Sequence, residues 1–445
     1  MQSENISAIS TALSASGVAV IRISGSSPLS IAEKMFKPMG KTAVKDFEPY
    51  KMYVGEIIAD GFTDFGMCVY FKAPKSFTGE DVIEFHTHGG IAITKGILHK
   101  TFSLGARPAT NGEFTKRAFM NGKLSLSSAE GLIDMINSES VSGVKAGYYL
   151  YREKLTEEIN ALQDVITDAL AEIDADMDFP EEDLEFKSTQ TVENNVKQVV
   201  EKIDDLLKTY RTGRTLKNGV RVGIVGKPNT GKSSLLNALL NYEKAIVSDV
   251  AGTTRDIVEG TLDINGVRFN FSDTAGIRES GDLVESMGVT LSKRVLDDSD
   301  LIVFVLDGSD VGEEDEEIYS LVKDKNLLVV LNKTDKSHAK DDRADVYVSA
   351  KNKTNLERLK ELIFEKTIGK GVDLNGDFLC EERHFNALKK AKEKLLDGLN
   401  GIGFVPLDVL AIDLKEGWDA LGEISGRTAT EDIINDIFSK FCVGK

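Results

Sequence analysis

Hydrophobic residues are spaced in more than one way along the chain, and the first spacing belongs to its N-terminal quarter. Residues 1–120 carry short apolar runs, at 17–25, 67–71 and 81–85, with Gly and Pro between them. Runs of this length between turn residues are typical of strands. The segment is therefore predicted to be a small α+β domain.

A helical spacing follows. From about Ser127 to Asp178 Gly and Pro become scarce, and apolar side chains recur at steps of three or four, namely at Leu155, Ile159, Leu162, Ile166, Leu170 and Ile173. This period predicts long helices, with another near 190–211. The segment Phe179–Asp183 contains a proline, which removes a helix donor, so we expect it to separate them.

Apolar strands that alternate with helices begin at Gly219. The predicted strands are Val220–Val225, Phe269–Ser272, Leu301–Leu306, Leu327–Leu331 and Val346–Val348. Such alternation predicts a doubly wound, mainly parallel sheet. After about Lys370 the helical period returns, with one apolar face at Phe385, Leu388, Ala391 and Leu395 and another at Ile433, Ile434, Ile437 and Phe438.

Helices therefore precede and follow the α/β segment. The simplest architecture is one helical domain with the α/β domain inserted into it, and two separate helical domains stay open as the alternative. The predicted limits are 1–120 for the N-terminal domain, 121–215 and 373–445 for the helical domain, and 216–372 for the inserted domain. A chain of 445 residues is long enough for several domains, each with its own core.

The chain carries 54 Lys and Arg against 72 Asp and Glu, a net charge of -18 at pH 7. Because positive side chains that neutralise phosphates supply most non-specific affinity for nucleic acid, this balance disfavours a protein that holds RNA alone. We expect RNA contacts to need a basic partner or a local basic patch. The alternative is that the surplus acids serve only solubility.

Composition also bears on the compartment. No apolar run approaches the roughly 18 residues that span a bilayer, and the N-terminus lacks a basic-then-apolar signal. The three cysteines, Cys68, Cys380 and Cys442, form no C-x-x-C pair for zinc or redox chemistry. We therefore expect a cytoplasmic protein without membrane association.

The segment Gly226–Ser233 matches G-x-x-x-x-G-K-S and lies between a predicted strand and the predicted helix Ser234–Leu240. Glycines allow backbone N–H groups to point at phosphates, and the helix N-terminus adds its positive dipole end. Lys232 is expected to reach the β- and γ-phosphates, and the Ser233 hydroxyl is expected to bind Mg²⁺. The motif predicts a P-loop nucleotide-binding site.

Three further motifs follow in the order of a GTPase. Asp273–Gly276, D-T-A-G, would support Mg²⁺ through water and meet the γ-phosphate with a backbone N–H. Asn332–Asp335, N-K-T-D, offers a carboxylate to the N1–H and 2-amino groups of guanine, which adenine lacks. Ser349–Lys351, S-A-K, completes the base pocket. GTP rather than ATP is the predicted nucleotide.

Switch I is predicted at Gly252–Asp256, between the P-loop and D-T-A-G. Thr254 is its expected Mg²⁺ ligand and senses the γ-phosphate. Together, these motifs predict GTP contacts at Asn229, Thr230, Gly231, Lys232, Ser233, Ser234, Ser248, Asp249, Val250, Ala251, Gly252, Thr253, Thr254, Asp273, Thr274, Ala275, Gly276, Asn332, Lys333, Asp335, Ser349, Ala350 and Lys351.

Hydrolysis must be assisted without the usual glutamine, because Ile277 follows D-T-A-G where Ras-like enzymes have a water-orienting Gln. Asn229, with carbonyls of the loop Ser248–Thr253, could hold a monovalent cation near the β–γ bridge. Glu285 is a candidate for positioning the attacking water. Spacing alone favours a solvated helix residue at Glu285, and Asn229 is similarly ambiguous.

Motifs outside the GTPase segment are more specific. G-x-P-N-x-G-K-S, A-G-T-T-R-D and D-T-A-G-I-R would also suit Era- and EngA-like ribosome-assembly GTPases. The flanks add Arg22–Gly25, Ser76–Asp81, His86–Gly90, Gly112–Phe119, Asn121–Lys123 and the C-terminal Phe441–Lys445. With these motifs, essentially the whole chain resembles the MnmE (TrmE) family of tRNA-modification GTPases.

The resemblance implies a homodimer whose N-terminal domains bind a tetrahydrofolate one-carbon donor, 5-formyltetrahydrofolate or a related one, and whose G domains dimerise across K⁺. It also implies a heterotetramer with the FAD-dependent protein MnmG. Together the two proteins would add an aminomethyl or carboxymethylaminomethyl group at C5 of wobble uridine 34 in certain tRNAs. Carried over by position, Glu285 is the catalytic glutamate, the folate contacts are Arg22, Glu84, Lys123 and Lys445, and the K⁺ contacts are Asn229, Ser248, Val250 and Thr253.

Some positions depart from the family or allow other interpretations. Asn111 stands where Pro is common and Val443 where Ile is usual, and we expect little change from either. His86 and His88 could suggest a metal site, but no third ligand is evident. Cys442 could be a nucleophile or could pack beside the folate. The rival functions are a ribosome-binding regulatory GTPase, which should carry a basic RNA-binding module, and a membrane-recruited switch, which should carry a lipidation motif.

Overall fold

The structure is a computed structural model that describes residues 4–178, 185–242, 260–273, 296–336, 340–370 and 377–445. Two compact units are present. The first contains Met1–Ile133, Leu150–Val200 and Lys390–Lys445, and the second contains Asp134–Tyr149 and Glu201–Lys389. Among the described helices, none combines the length and the apolar character needed to cross a membrane. The domain limits at 120, 215 and 372 stay predictions.

The N-terminal domain is built on a seven-stranded sheet. Its strands are β1 (Ile6–Ile9), β2 (Ser16–Gly25), β3 (Phe36–Pro38), β4 (Met52–Ala59), β5 (Phe62–Phe71), β6 (Asp81–Gly89) and β7 (Arg107–Pro108), in the order β3-β4-β5-β6-β2-β1-β7. The helices are α1 (Pro28–Met35), α2 (Ile91–Ser103) and α3 (Glu113–Met120). Ile21, Ile23 and Phe85 of the central strands are fully buried in one core with Ile97 of α2. The predicted α+β class is confirmed.

Four helices come next: α4 (Leu126–Asn137), α5 (Val141–Tyr151), α6 (Lys154–Asp178) and α7 (Glu185–Asn218). The predicted apolar stripe of α6 is buried at Leu155, Ile159, Ile166 and Ile173 but only half-buried at Leu162 and Leu170. Gln163 is fully buried in this region, and its Nε2 donates to the carbonyl oxygen of Trp418 at 2.9 Å. The predicted break at Phe179–Asp183 lies outside the described residues.

The inserted domain is a six-stranded sheet. Its strands are β8 (Val220–Val225), β9 (Gly260–Ile264), β10 (Val267–Asp273), β11 (Leu301–Asp307), β12 (Leu327–Asn332) and β13 (Val346–Tyr347), in the order β13-β12-β11-β8-β10-β9. The described helices are α8 (Lys232–Tyr242), α9 (Glu313–Val322) and α10 (Leu356–Thr367). Every side chain of β11 is buried, as expected of a parallel strand covered on both faces. The doubly wound prediction is confirmed.

β9 is the strand that the apolar pattern did not predict. It pairs antiparallel with β10 through a two-residue turn, Asn265–Gly266. Both turn residues have positive φ, 56° and 83°, which is the backbone that a tight type I′ hairpin turn requires. The sheet is therefore parallel except at this edge.

The parallel register brings the ends of the strands together. Asp307 at the end of β11 lies opposite Asn332 at the end of β12. β10 ends at Asp273, whose register partner is Ile224 of β8. Ile224 lies two residues before the P-loop begins at Gly226. The carboxyl edge of a doubly wound sheet is where ligands bind, so the register places the nucleotide motifs at that edge.

The chain ends in three helices, α11 (Glu382–Gly401), α12 (Leu407–Ser425) and α13 (Glu431–Ser439). Leu388, Ala391 and Leu395 are fully buried on the predicted face of α11, whereas Phe385 is half-buried. In α13, Ile437 and Phe438 are buried and Ile433 and Ile434 pack against the same core. α6 and α12, which lie before and after the inserted sheet in the sequence, pack against each other and are joined by the Gln163–Trp418 hydrogen bond. The predicted insertion of the α/β domain into one helical domain is therefore confirmed.

Three segments of the second unit meet at Lys217, the penultimate residue of α7. The Lys217 ammonium lies 2.7 Å from Oδ1 of Asp134 in α4 and also contacts Oε1 of Glu381, just before α11. These three residues are termed the Lys217 cluster. Lys217 directly precedes the inserted sheet and Glu381 follows it, so one ammonium ties both connections of the inserted domain to α4.

Candidate functional site

The segment Gly226–Ser233 forms the loop between β8 and α8. Gly226, Asn229 and Gly231 have φ values of 153°, 64° and 90°. A Cβ at Gly231 would lie 2.6 Å from Nδ2 of Asn332, so only glycine fits this close approach to β12. The buried Lys232 ammonium donates to the carbonyl oxygens of Gly226 and Lys227, at 2.9 Å each. The lysine therefore lies inside the loop at a helix N-terminus, where the dipole favours an anion.

Asn332 joins this loop to the segments predicted to bind the base. Its Nδ2 donates to the carbonyl oxygen of Thr230 at 2.9 Å, and its Oδ1 accepts from the backbone N–H of Ala350 at 3.1 Å. The Ser349 hydroxyl donates to Oδ1 of Asp335 at 2.7 Å, and this hydrogen bond lowers the pKa of Asp335. Asp335 is therefore presented as an exposed carboxylate, a hydrogen-bond acceptor.

Lys333 adds an ion pair that the motifs did not reveal. Its ammonium donates to Oδ2 of Asp307 and to the carbonyl oxygen of Asn229, at 2.6 Å each. Burial alone would raise the pKa of Asp307, but hydrogen bonds from Lys333 and Ser309 outweigh it and lower the pKa overall. The sequence signal that could have identified Asp307 is its position, because it ends a buried strand that lies next to the strand ending in Asn332.

The remaining nucleotide residues fall into two groups. Ser233 and Ser234 lie exposed in the first turn of α8, and Lys351 lies exposed after Ala350. Of Asp273 the structure gives the end of β10. Ten predicted contacts and the predicted catalytic residue lie outside the described residues, namely Ser248, Asp249, Val250, Ala251, Gly252, Thr253, Thr254, Thr274, Ala275, Gly276 and Glu285.

A second cluster of predicted residues lies on the N-terminal sheet. Arg22 of β2 is paired with Glu84 of β6, and its Nε donates to Oε1 of Glu84 at 2.7 Å. The guanidinium carbon lies 5.5 Å from the ring centroid of Phe77 and 5.6 Å from that of Phe114. Burial would raise the pKa of Glu84, but His86 and Arg22 outweigh it and lower the pKa. The result is a fixed cation over two aromatic rings.

Lys123 reaches the loop that carries Phe77. Its Nζ donates to the carbonyl oxygen of Pro74 at 3.0 Å. The neighbouring Asn121 Nδ2 donates to the carbonyl oxygen of Thr78 at 2.7 Å. The segment after α3 is therefore attached to the loop between β5 and β6.

The C-terminal tail reaches the same domain. The backbone N–H of Phe114 donates to the carbonyl oxygen of Lys445 at 3.2 Å, so the tail lies beside the residue whose ring supports Arg22. Gly444 has a φ of 100°, and a Cβ there would collide with the carbonyl oxygen of Ile9. Arg22, Lys123 and Lys445 thus come from distant parts of the sequence to one region of the first unit.

A charged network holds α3 in place beside this region. Glu113 pairs with Arg107 at 2.6 Å and with Arg117 at 3.0 Å, and Arg117 pairs with Glu80 at 2.9 Å. Burial would raise the pKa of Glu113, but Arg107 and the other donors lower it to about 2. The motifs gave no role to these residues, although Glu113 and Arg117 are spaced i,i+4 inside Gly112–Phe119.

The structure describes the surroundings of the two histidines considered as metal ligands and of Cys442, considered as a nucleophile or a packing residue. Nδ1 of His88 lies 2.6 Å from Oδ1 of Asp64, and Nε2 of His86 lies 3.4 Å from Oε2 of Glu84. Within the described residues, no group of three or more His, Cys, Asp or Glu side chains could hold a metal ion. Cys442 is an exposed free thiol, and its role as nucleophile or packing residue stays open.

Two family models match the chain on either side of residue 125. The model described as GTP-binding protein TrmE N-terminus matches residues 5–123. The model described as MnmE helical domain matches residues 126–442, a span that contains the inserted sheet.

Full-length relatives give the same result. The chain is 39% identical to the tRNA modification GTPase MnmE of Desulforamulus reducens over 100% of both chains, and 39% identical to that of Clostridioides difficile over 99% of each. A crystal structure of Aquifex aeolicus Era bound to GDP.AlF4- is 32% identical and covers 40% of this chain and 67% of its own, with a TM-score of 0.27. On the family models and the full-length matches, the chain belongs to the MnmE family of tRNA modification GTPases.

Proposed function

We propose that the chain hydrolyses GTP and couples this cycle to the addition of an aminomethyl or carboxymethylaminomethyl group at C5 of wobble uridine 34 in certain tRNAs. It acts as a homodimer and forms a heterotetramer with the FAD-dependent protein MnmG. The reaction takes place in the cytoplasm, and the three free cysteines support this placement because thiols persist in a reducing compartment.

The observation that carries the nucleotide part of the proposal is the position of Asn332. By bonding to both Thr230 and Ala350, it makes the phosphate loop and the base segment one rigid arrangement. The Asp335 carboxylate offers two acceptor oxygens, which match the N1–H and 2-amino groups of guanine. Adenine would leave these acceptors unpaired, which costs binding free energy.

Two of the predicted ion ligands, Ser233 and Asn229, lie in the described loop, and their oxygens suit Mg²⁺ and K⁺. Ser233 and Thr254 would supply hydroxyls to Mg²⁺, and Asn229, Ser248, Val250 and Thr253 would supply oxygens to K⁺. The close-fitting backbone at Gly231 supports a compact phosphate cradle. When bound, the two ions would supply positive charge that stabilises the transition state of GTP hydrolysis. Glu285 positions the attacking water.

A tetrahydrofolate fits the second cluster. Its flat pyrimidinone ring suits the partly buried Phe77, while the fully buried Phe114 supports Arg22 from within the core. Its carboxylates suit Arg22, Lys123 and Lys445. Glu84 fixes the orientation of Arg22. When bound, the folate supplies the one-carbon unit of the modification.

Nucleoside mass spectrometry of tRNA tests the central claim. Cells that lack this chain are expected to contain unmodified wobble uridine in the affected tRNAs, and a plasmid copy of the wild type is expected to restore the modification. A copy carrying Asp335→Asn is expected not to restore it, because its guanine site is altered. Fully modified wobble uridines in the deleted strain would contradict the proposal and favour a regulatory GTPase.

The cation assignment has its own test. GTP hydrolysis by the purified chain is expected to be much faster in K⁺ or Rb⁺ buffer than in Na⁺ buffer at equal ionic strength. Equal rates in the three buffers would remove K⁺ from the proposal while leaving GTP hydrolysis intact.

A further inference from the structure

The turn between α11 and α12 exposes an apolar strip. Phe404 is 90% exposed, more than any other large apolar side chain in the described part of the chain. Val405, Val409 and Ile412 are 36%, 40% and 58% exposed. These four residues are termed the hairpin patch.

The helical part of the hairpin patch lies on a face of α12 that the described residues leave exposed. Val409 and Ile412 are spaced i and i+3, which puts them on one side of α12, and Val405 lies in the turn just before the helix begins. The attachment of α12 uses another side, where Leu410, Leu414 and Leu421 are buried. α12 therefore has two apolar sides, and folding uses only one. A helix side with this spacing is a common anchor for a protein partner.

Backbone hydrogen bonds fix the shape of the hairpin patch. The N–H groups of Phe404 and Val405 both donate to the carbonyl oxygen of Gly401 at 2.9 Å, and the N–H of Val409 donates to the carbonyl oxygen of Pro406 at 3.1 Å. A surface ordered before it binds loses little conformational entropy on association. The exposed Phe404 is thus presented on a formed turn.

The surroundings of the hairpin patch are acidic. Between Leu395 and Leu414 the charged residues are Asp397, Asp408 and Asp413. The lysines that flank this stretch already have acidic partners, since Lys394 pairs with Glu416 at 2.6 Å and Lys415 pairs with Asp419 at 3.3 Å. A matching surface would be apolar at its centre and basic around it.

The charge also selects among possible occupants. A second copy of this chain would bring an equally acidic rim against the first, and like charges across an interface are unfavourable. A basic partner has the opposite effect, and it would also supply the positive potential that a chain of net charge -18 lacks for a polyanionic tRNA.

We propose that the hairpin patch is the docking surface for the FAD-dependent partner, with Phe404 and Ile412 as apolar anchors and Lys and Arg of the partner around them. This inference rests on the partner assignment made under Proposed function. It adds the surface and the chemistry through which that partner binds.

Calorimetric titration of the full-length chain with purified MnmG of the same organism tests the inference. The double variant Phe404→Ser, Ile412→Ser is expected to raise Kd by about tenfold or more, as loss of central apolar anchors does. Leu321→Ser is the matched control, because Leu321 is a 70% exposed leucine in α9, and it is expected to bind as the wild type does. Asp408→Lys is expected to weaken binding and to reduce its dependence on salt.

Two checks and three outcomes complete the test. Unchanged GTP hydrolysis and an unchanged melting temperature would show that the double variant is folded. Equal binding by the wild type and the double variant would overturn the inference and leave the partner assignment standing. Failure of the wild type to bind would overturn both. A change in sedimentation of the double variant without partner would identify the hairpin patch as a contact between copies and would also overturn the inference.

Discussion

At the scale of single residues, the proposed contact between Asp335 and guanine can be tested by removing the charge of this side chain. Asp335→Asn replaces one acceptor oxygen by a donor amide, which suits xanthine better than guanine. We expect GTP affinity to fall by about 10- to 100-fold, as loss of one or two charge-assisted hydrogen bonds implies, and XTP affinity to rise. Fluorescence titration with labelled nucleotides measures both. Asp342→Asn, at an exposed acid nearby in sequence, is the control and should change neither affinity. Wild-type GTP affinity in Asp335→Asn would contradict the assignment.

Arg22 is the corresponding residue of the proposed folate site in the N-terminal domain. Arg22→Gln removes the cation that Glu84 orients over Phe77 and Phe114. We expect the affinity for 5-formyltetrahydrofolate to fall by about tenfold or more, since hydrogen bonds to charged groups contribute about 1.5–3 kcal/mol, while GTP hydrolysis continues. Equilibrium dialysis measures folate binding. Lys95→Gln, at an exposed lysine of α2, is the control, and equal folate binding by both variants would reject the site.

At the scale of elements, the Lys217 cluster joins α4, α7 and the start of α11. Lys217→Met leaves Asp134 and Glu381 partly buried without their cation. Removing one partner of a buried ion pair typically costs about 3–5 kcal/mol, so we expect the free energy of unfolding to fall by up to this amount. Urea denaturation measures it. Lys208→Met in α7, at an exposed ion pair, should cost far less.

The same cluster predicts a dependence of stability on pH. Burial and the nearby Glu381 raise the pKa of Asp134 from 3.8 to about 8, although Lys217 opposes the shift. A carboxyl group with a raised folded-state pKa stabilises the protein below its unfolded pKa, and this contribution is lost as the pH rises through about 8. We therefore expect the free energy of unfolding to fall as the pH rises from about 4 to about 8, and Asp134→Asn to flatten this part of the profile. A profile that is unchanged in Asp134→Asn would show that another group is responsible.

Elements whose burial is continuous were predictable from sequence, and elements defined by pairing were not. β11 is buried along its whole length, so an apolar run marks it. β9 contains the exposed Asp263 and depends on the Asn265–Gly266 turn, a hairpin signal that apolar spacing does not register. Gln163 shows the opposite case, because a polar residue is buried where a hydrogen bond to Trp418 satisfies it.

The site residues also differ in how far the sequence could identify them. The P-loop is a local motif, so its residues could be named from the sequence alone. Asp307, Phe77 and Phe114 gain their roles from strand register and from packing between distant segments, which one sequence does not display. Arg22 and Lys445 could be assigned only through the family resemblance.

At the scale of the whole molecule, the first unit contains both ends of the described chain. The tail supplies Lys445 beside Phe114, and its path requires the positive φ of Gly444. Deletion of residues 443–445 is therefore expected to abolish folate binding and to leave GTP hydrolysis by the inserted domain intact. Parallel folate and GTPase assays measure the two activities. Val443→Ile, a matched change at an exposed position, should preserve both, and folate binding by the truncated chain would contradict the proposed site.

The joining of distant segments in the first unit has a consequence for synthesis. Lys116 and Asn435 are hydrogen-bonded although they lie 319 positions apart in sequence. At translation rates of about 5–20 residues per second, the N-terminal sheet waits roughly 16–60 s on the ribosome for the segment that completes its surroundings. The inserted domain can fold during this interval. A stalled or truncated nascent chain would then carry a folded inserted domain without a finished N-terminal site. The proposed folate site would be complete only in chains whose C-terminal segment has been translated.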